Sequence, residues 1–162
     1  MITGELKSKI DSIWDTIWTG GISSPITVLE QITYLMFMKL LDDTETRKEG
    51  AASIFKGMKY KSKVFKEGNF FPDKDRNREI PYADLRWSSF KHKSPEQMFD
   101  LVKDYVFPFI KKVNGESKET AFSRFMEDAV FLIPTPKVLG VCVDTLSDID
   151  MANKDIMGDV YE

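Results

Sequence analysis

Residues 23–47, SSPITVLEQITYLMFMKLLDDTETR, form the stretch that decides the fold. Ser24 followed by Pro25 favours a helix start, because the serine hydroxyl satisfies a free backbone N–H and proline presets φ at the first helical position. Between Ile26 and Leu41 the apolar side chains cover most of the circumference of a helix. A helix that is apolar nearly all round is buried, so we predict that this one lies at the centre of the core.

Helical periodicity continues on both sides of this central helix. Polar residues begin after Asp42, and Gly50 marks the latest end that we expect for the central helix. Pro108 lies inside a later helical pattern and is expected to kink it or to end its regular part. Further helical stripes and caps occur in residues 3–18, 94–113, 116–133 and 135–149, and from about residue 153 to the end.

Residues 50–93 have a different character. They lack a sustained 3.6-residue period, while KYKSKVF (residues 59–65) and EIPYADLRW (residues 79–87) roughly alternate in polarity. Such alternation is typical of short strands. We therefore predict a mostly all-α fold, a single bundle-like helical domain with an irregular or short β-hairpin excursion around residues 50–93.

Charge is unevenly distributed along the chain. The 162 residues have a formal net charge of −3. Residues 47–93 contain 13 basic and 6 acidic side chains, a charge of +7, whereas the parts before and after them carry −4 and −6. Asymmetry of this kind is a hint about binding partners, and it points to the middle third of the chain.

Cysteine content and hydropathy indicate the compartment. Cys142 is the single cysteine, which excludes an internal disulfide and fits a reducing environment. Residues 1–12 contain no apolar core of a signal peptide. The longest apolar run, ITYLMFMKLL, is too short to span a bilayer and is interrupted by Thr33 and Lys39. We expect a soluble, cytoplasmic chain with no membrane partner.

Few residues are suited to catalysis. His92 is the one histidine, and without a second histidine or a cysteine cluster no metal site of usual spacing can form. Gly20 and Gly21, the one close pair of glycines, fit a helix stop better than a phosphate-binding loop. We interpret the chain as it stands as non-catalytic, with no metal and no cofactor of its own.

A basic run interleaved with aromatic residues is the most informative polar feature. Lysine and arginine supply phosphate contacts, which give affinity through counterion release rather than through sequence readout. Trp87 lies in the same segment, and we expect it to anchor the segment onto the helices. The competing interpretation of the run is a solvated basic loop. We predict DNA contacts at Lys59, Lys61, Lys63, Lys66, Arg76 and Arg78, with Lys56 and Arg86 as secondary candidates.

Three stretches, taken in order, resemble one family. They are a long apolar helix ending MFMKLLDD (residues 36–43) after a Trp-bearing first helix, then ADLRWSSF (residues 83–90), then VLGVCVDTLSDIDMANKDIMGDVYE (residues 138–162). Together they resemble the N-terminal helical domain of the modification (M) subunit of type I restriction-modification DNA adenine methyltransferases. The likeness covers nearly the whole chain in order.

The resemblance implies a place for this chain in a longer protein. Residues 1–162 would be the N-terminal helical domain, and residues 153–162 the start of a linker helix into a catalytic domain. The family's Asp-x-x-Gly-Asp-x-Tyr-Glu run at this hinge falls on Asp155, Gly158, Asp159, Tyr161 and Glu162.

The resemblance also implies where the chemistry is. The parent methyltransferase binds S-adenosylmethionine through a glycine-containing loop and methylates an adenine flipped into an Asn-Pro-Pro-aromatic pocket. The chain contains no Gly-x-Gly and no Pro-Pro pair. It therefore carries over no catalytic and no cofactor-binding residue from the family.

A supporting role is what the family implies for this domain. That role is contact with double-stranded DNA, sensing of adenine methylation, and assembly with its own catalytic domain and with the specificity and restriction subunits. The alternative, from a different functional class, is a helical protein–protein interaction module with no nucleic-acid role.

We expect the 162-residue chain neither to bind S-adenosylmethionine nor to methylate DNA, because both motifs are missing from it. Isothermal titration calorimetry with S-adenosylmethionine should give no heat of binding. Micromolar affinity for this chain would contradict the prediction.

Overall fold

The computed structural model describes residues 4–54, 60–72, 78–116 and 125–151. Its helices are α1 (Gly4–Thr19), α2 (Pro25–Ile54), α3 (Trp87–Phe90), α4 (Pro95–Leu101), α5 (Phe107–Glu116) and α6 (Pro136–Leu146). Two short strands, β1 (Asn69–Phe70) and β2 (Ile80–Pro81), form the one sheet in these ranges. The mostly α-helical prediction is confirmed, whereas the linker helix predicted from residue 153 lies outside the described residues.

The helix α2 lies at the centre of the core. Every side chain from Gln31 to Met36 is buried, as a helix with neighbours on most sides requires. α1 packs against α2, and α6 packs against both α1 and α4. None of the helices in the described ranges is long and apolar enough to cross a membrane.

The two ends of α2 differ in how well the sequence predicts them. At the start, the backbone N–H of Thr27 donates to Ser24 Oγ at 3.4 Å, as predicted for this cap. The end predicted at Gly50 is wrong, because the helix continues to Ile54. A glycine ends a helix by taking positive φ, but Gly50 stays helical, and the alanines that follow it favour continuation.

Pro108 disturbs its helix as predicted. Residues Val102–Val106, between α4 and α5, form a π-helical turn, in which the N–H of Phe107 donates to the carbonyl of Val102. Pro108 has no N–H, so the carbonyl of Asp104, four residues earlier, lacks its α-helical donor. The chain then resumes as α5.

The hairpin predicted in the basic middle segment is present but small. β1 pairs antiparallel with β2, with Phe70 opposite Ile80, and Gly68 before β1 takes a φ of +96°. The strands lie later than the first alternating stretch, since residues 60–65 are not strand. After β2 the chain makes a 3₁₀ turn, Tyr82–Leu85, and leads into α3.

Residues 128–135 correct a prediction of the sequence. The helix expected through Ile133 is helical at residues 125–127 and then gives way to a turn and non-helical chain. Gln31, buried in α2, accounts for the difference: its Nε2 donates to the carbonyl of Val130 at 3.0 Å, and its Oε1 accepts from the N–H of Leu132 at 2.8 Å. A side chain from α2 thus satisfies backbone groups that a helix would have paired internally.

Substitution of Gly20 by Ala should destabilise the fold. A Cβ at Gly20 would lie 2.7 Å from Val138 Cγ2, and the β-branched valine in α6 cannot turn away freely. We expect a loss of about 1–3 kcal/mol in the free energy of unfolding, measured by urea denaturation.

Gly140→Ala is the matched control for this packing effect. A Cβ there would have its nearest neighbours at 3.6 and 3.7 Å, an ordinary contact. Because alanine is the better helix former, this variant should gain roughly 0.5–1 kcal/mol in stability. Equal effects of the two substitutions would contradict close packing between Gly20 and α6.

Candidate nucleic-acid interface

The candidate interface consists of the basic loop, which we define as residues 60–72, and of the segments that hold it. Three charged side chains of α2, Lys39, Asp42 and Glu45, are buried, and the last two attach the segments that hold the loop. A buried charge is costly unless it is paired and hydrogen-bonded. Each of the three therefore reaches a different segment outside α2.

Asp42 binds the chain around α3. Its Oδ1 accepts from Arg86 Nε at 2.5 Å, and its Oδ2 accepts from the backbone N–H of Ser88 at 2.8 Å. The Arg86 guanidinium also donates to Thr46 Oγ1 at 3.1 Å and pairs with Glu49 at 2.7 Å. Burial alone would lower the pKa of Arg86, but its hydrogen bonds to Glu49 and Asp42 outweigh this effect and the pKa is raised.

Trp87 anchors the same segment, as predicted. Its side chain is only 2% exposed, and its Nε1 donates to Ser147 Oγ at 3.1 Å, just beyond α6. The ring also packs against Phe90, with centroids 5.3 Å apart. Arg86 and Trp87 thus fix one segment to two helices, Arg86 through charge on α2 and Trp87 through burial beside α6.

Glu45 holds the start of the basic loop. The Tyr60 hydroxyl donates to Glu45 Oε2 at 2.5 Å. This hydrogen bond to a carboxylate, with smaller effects of burial and of the Glu45 and Glu49 charges, raises the pKa of Tyr60 to about 12. The loop is therefore tied to the same turns of α2 that bind Arg86.

Aromatic packing holds the loop farther along. The N–H groups of Val64 and Phe65 both donate to Ser62 Oγ, which closes a local turn. The ring centroids of Phe65 and of Phe109 in α5 lie 5.5 Å apart. The Arg86 guanidinium lies 5.3 Å from the centroid of the Phe65 ring. The loop is thus packed against the helices through the Phe65 ring, while its lysine side chains are exposed.

Lys61, Lys63 and Lys66 are exposed on this loop. Within the part of the chain that the structure describes, none of the three ammonium groups forms an ion pair with a carboxylate. The structure brings these three predicted residues together on one anchored segment. Their charge is available to an anionic partner.

Arg78 has a different environment from these lysines. It is half-buried, its Nη2 donates to the carbonyl of Asp104 at 3.3 Å, and its guanidinium lies 5.4 Å from the centroid of Tyr105. That carbonyl is the one that Pro108 leaves without its α-helical donor. Arg78 therefore supports the π-helical turn, a role that its charge alone did not indicate.

Of the remaining predicted contacts, three cannot be placed and one is paired with carboxylates. Lys59 and Arg76, together with the secondary candidate Lys56, lie outside the described residues. Arg86, the other secondary candidate, points its guanidinium at carboxylates of α2. Of the predicted set, Lys61, Lys63 and Lys66 are the ones that the structure places on the surface with free charge.

Lys112 is a basic residue of this surface that sequence reasoning missed. It lies in α5, and together with Lys63 and Lys66 it surrounds a cavity of about 90 Å³. The cavity floor includes Phe70, Tyr82 and Phe109. The pair Lys111-Lys112 was visible in the sequence, but no local pattern relates it to Lys63 and Lys66, which lie more than 40 residues earlier.

The one cysteine and the one histidine of the chain lie in different environments. Burial raises the pKa of the Cys142 thiol to about 12. His92 is exposed in the turn after α3. Across the described ranges, no three His, Cys, Asp or Glu side chains are grouped so that they could hold a metal ion.

Comparison with known proteins gives one match. A family model described as the HsdM N-terminal domain matches residues 6–146. No curated protein and no solved structure matches the chain. The matched residues extend from the first turns of α1 to the end of α6, so they include the basic loop and the Arg86–Trp87 anchor.

Asp42→Ala should destabilise the fold strongly. The substitution leaves the half-buried Arg86 guanidinium and the N–H of Ser88 without their buried acceptor. Breaking a buried charge pair costs about 3–5 kcal/mol, and we expect a loss near the lower end because Glu49 and Thr46 remain. Glu49→Ala is the control: this partner is 48% exposed, so its loss should cost less than about 1 kcal/mol. The free energy of unfolding of both variants is measured by chemical denaturation. Similar losses in the two would contradict a larger contribution of Asp42 to stability.

Proposed function

The chain belongs to the HsdM N-terminal domain family, which forms the N-terminal domain of the modification subunit of type I restriction-modification systems, and on this premise we propose that it contacts the DNA on which the enzyme acts. The observation that carries the proposal is the basic loop. Lys61, Lys63 and Lys66 present charge without ion-pair partners among the described residues, on backbone that Tyr60 and Phe65 hold to the helical body.

The proposed contact is with phosphate rather than with bases. Lysine is a point charge at the end of a flexible side chain. It lacks the planar guanidinium with which arginine makes bidentate hydrogen bonds to guanine or phosphate. Because the loop is already held by hydrogen bonds and aromatic packing, little further ordering is needed when it binds. Affinity without sequence preference fits a subunit whose target sequence is chosen elsewhere.

Methyl transfer is assigned by the same proposal to a separate catalytic domain. That domain would bind S-adenosylmethionine and receive the target adenine, while the helical domain closes over the DNA beside it. Sensing of adenine methylation and contacts with the specificity and restriction subunits belong to this proposal too. Family membership is what supports them.

Charge supports a division of the surface between DNA and protein partners. Outside residues 47–93 the chain carries an excess of acidic side chains. Acidic surface repels phosphate, so the DNA-facing side is confined to the region of the basic loop. The acidic remainder suits subunit contacts.

The triple variant Lys61→Ala, Lys63→Ala and Lys66→Ala should lose affinity for any duplex, irrespective of its sequence. Each phosphate contact removed reduces the slope of log affinity against log salt by about 1, so the slope should fall by up to about 3. The measurement is fluorescence anisotropy with a labelled non-specific duplex between about 50 and 200 mM salt.

A charge-matched control is the triple variant Lys7→Ala, Lys103→Ala and Lys137→Ala, whose three lysines are exposed outside the basic loop. It should keep the salt slope of the parent chain. Unchanged DNA affinity in a folded loop variant would exclude this surface. That result would favour the alternative, a helical protein–protein interaction module.

A further inference from the structure

The charged residues that line the cavity beside Lys112 are all of one sign. Its three charged lining residues, Lys63, Lys66 and Lys112, are all basic. A larger cavity at the end of α6 is lined by acidic and basic residues together, namely Asp43, Asp148, Asp150, Lys39 and Arg47. Another, beside Tyr60, likewise combines Glu49 and Glu67 with Lys61, Lys66 and Arg86. Of these three cavities, the one beside Lys112 has no acidic lining residue, and its charge favours an anion.

The cavity floor is rigid. Phe70 and Phe109 are 2% and 3% exposed, and their rings meet edge to face with centroids 5.4 Å apart. Tyr82 completes the floor, with its ring 5.9 Å from each of the other two. The hairpin and α5 are thus locked together beneath the opening, so the position of the lysines around it is set by packed elements.

Lys112 is directed toward this floor. Its Nζ lies 5.7 Å from the centroid of Phe70, a cation–π contact, and its side chain is exposed. In the part of the chain that the structure describes, Lys112 forms no ion pair with a carboxylate. Three ammonium groups around one opening repel each other, and an anion between them relieves that repulsion.

The size and chemistry of the cavity select a phosphate group rather than a base. A volume of about 90 Å³ holds a group of several heavy atoms. A base edge would need donors and acceptors in a fixed pattern, whereas lysine presents only donors, at the end of a flexible stem.

We propose that Lys112 in α5 joins Lys63 and Lys66 of the basic loop in binding one backbone phosphodiester of DNA over the floor of Phe70, Tyr82 and Phe109. This inference rests on the proposed function and extends the DNA-contact surface from the loop onto the helical body. It adds to the interface a residue outside the basic middle third of the sequence.

Lys112→Ala and Lys103→Ala form a matched pair that tests the assignment. Both side chains are exposed, and Lys103 lies 6.0 Å from the centroid of Phe99, so each substitution removes one charge and one cation–π contact. Lys112→Ala should reduce the slope of log affinity against log salt for the non-specific duplex by about 1. The loss of affinity between about 50 and 200 mM salt should therefore be about 3-fold smaller than in the parent chain. Lys103→Ala should leave both unchanged, and the two variants should unfold at the same temperature.

A double-mutant cycle tests whether the lysines share one phosphate. If Lys63 and Lys112 bind the same group, the variant lacking both should lose less affinity than the two single losses combined. Additive losses would show two separate contacts and overturn the shared site.

The possible results separate this inference from the proposed function. If the loop triple variant loses affinity while Lys112→Ala matches Lys103→Ala, the cavity assignment fails and the proposed function stands. If neither loses affinity, both fail. Binding of inorganic phosphate or of an acidic peptide that depends on Lys112, with duplex affinity unchanged, would give the site another ligand and overturn the inference.

Discussion

The carboxylate of Asp42, buried in the middle of a 30-residue helix, is the constraint on which the rest of the structure depends. The backbone N–H groups of a helix interior are already paired, so the backbone of α2 offers this charge no donor. The donors come from another segment, the Arg86 side chain and the N–H of Ser88. Satisfying one carboxylate therefore fixes where residues 86–88 lie, and with them the end of the irregular middle segment.

Other polar residues of α2 act in the same way along its length. Gln31 binds the backbone of Val130 and Leu132, Lys39 donates to Asp43 at 2.6 Å and to the carbonyl of Ile149, and Glu45 accepts from Tyr60. Among the described residues no buried side-chain nitrogen or oxygen lacks a hydrogen-bond partner. Each link is specific, because an apolar residue could fill the same volume but could not select one segment over another. The central helix is thus both the core of the domain and the point of attachment for its non-helical parts.

This arrangement divides the basic residues of the middle segment into two groups. Arg78 and Arg86 turn inward, one to the carbonyl that Pro108 deprives of its α-helical donor and the other to the carboxylates of α2. The lysines of the basic loop remain outside with uncompensated charge. Arginine suits the first task because its planar fork makes several hydrogen bonds at once, and lysine suits the second because its compact charge keeps its hydration until a phosphate arrives. The division supports a phosphate contact made by lysine on a scaffold held by arginine.

The sequence by itself determined the features that depend on near neighbours. The cap at Ser24, the central burial of α2 and the disturbance at Pro108 were all predictable. Caps and helical stripes act over three or four residues, so their signal is complete within a short window.

The polar groups that meet across long separations could not be paired from the sequence, because folding brings them together. Gln31 lies about 100 residues from the backbone it holds, and Asp42 lies 44 residues from Arg86. The end of the helix after Glu127, the inward direction of Arg78 and the place of Lys112 beside the basic loop follow from such meetings. A count of charges treats every lysine and arginine alike. Burial and the nearest partner decide which of these charges remain available to a binding partner.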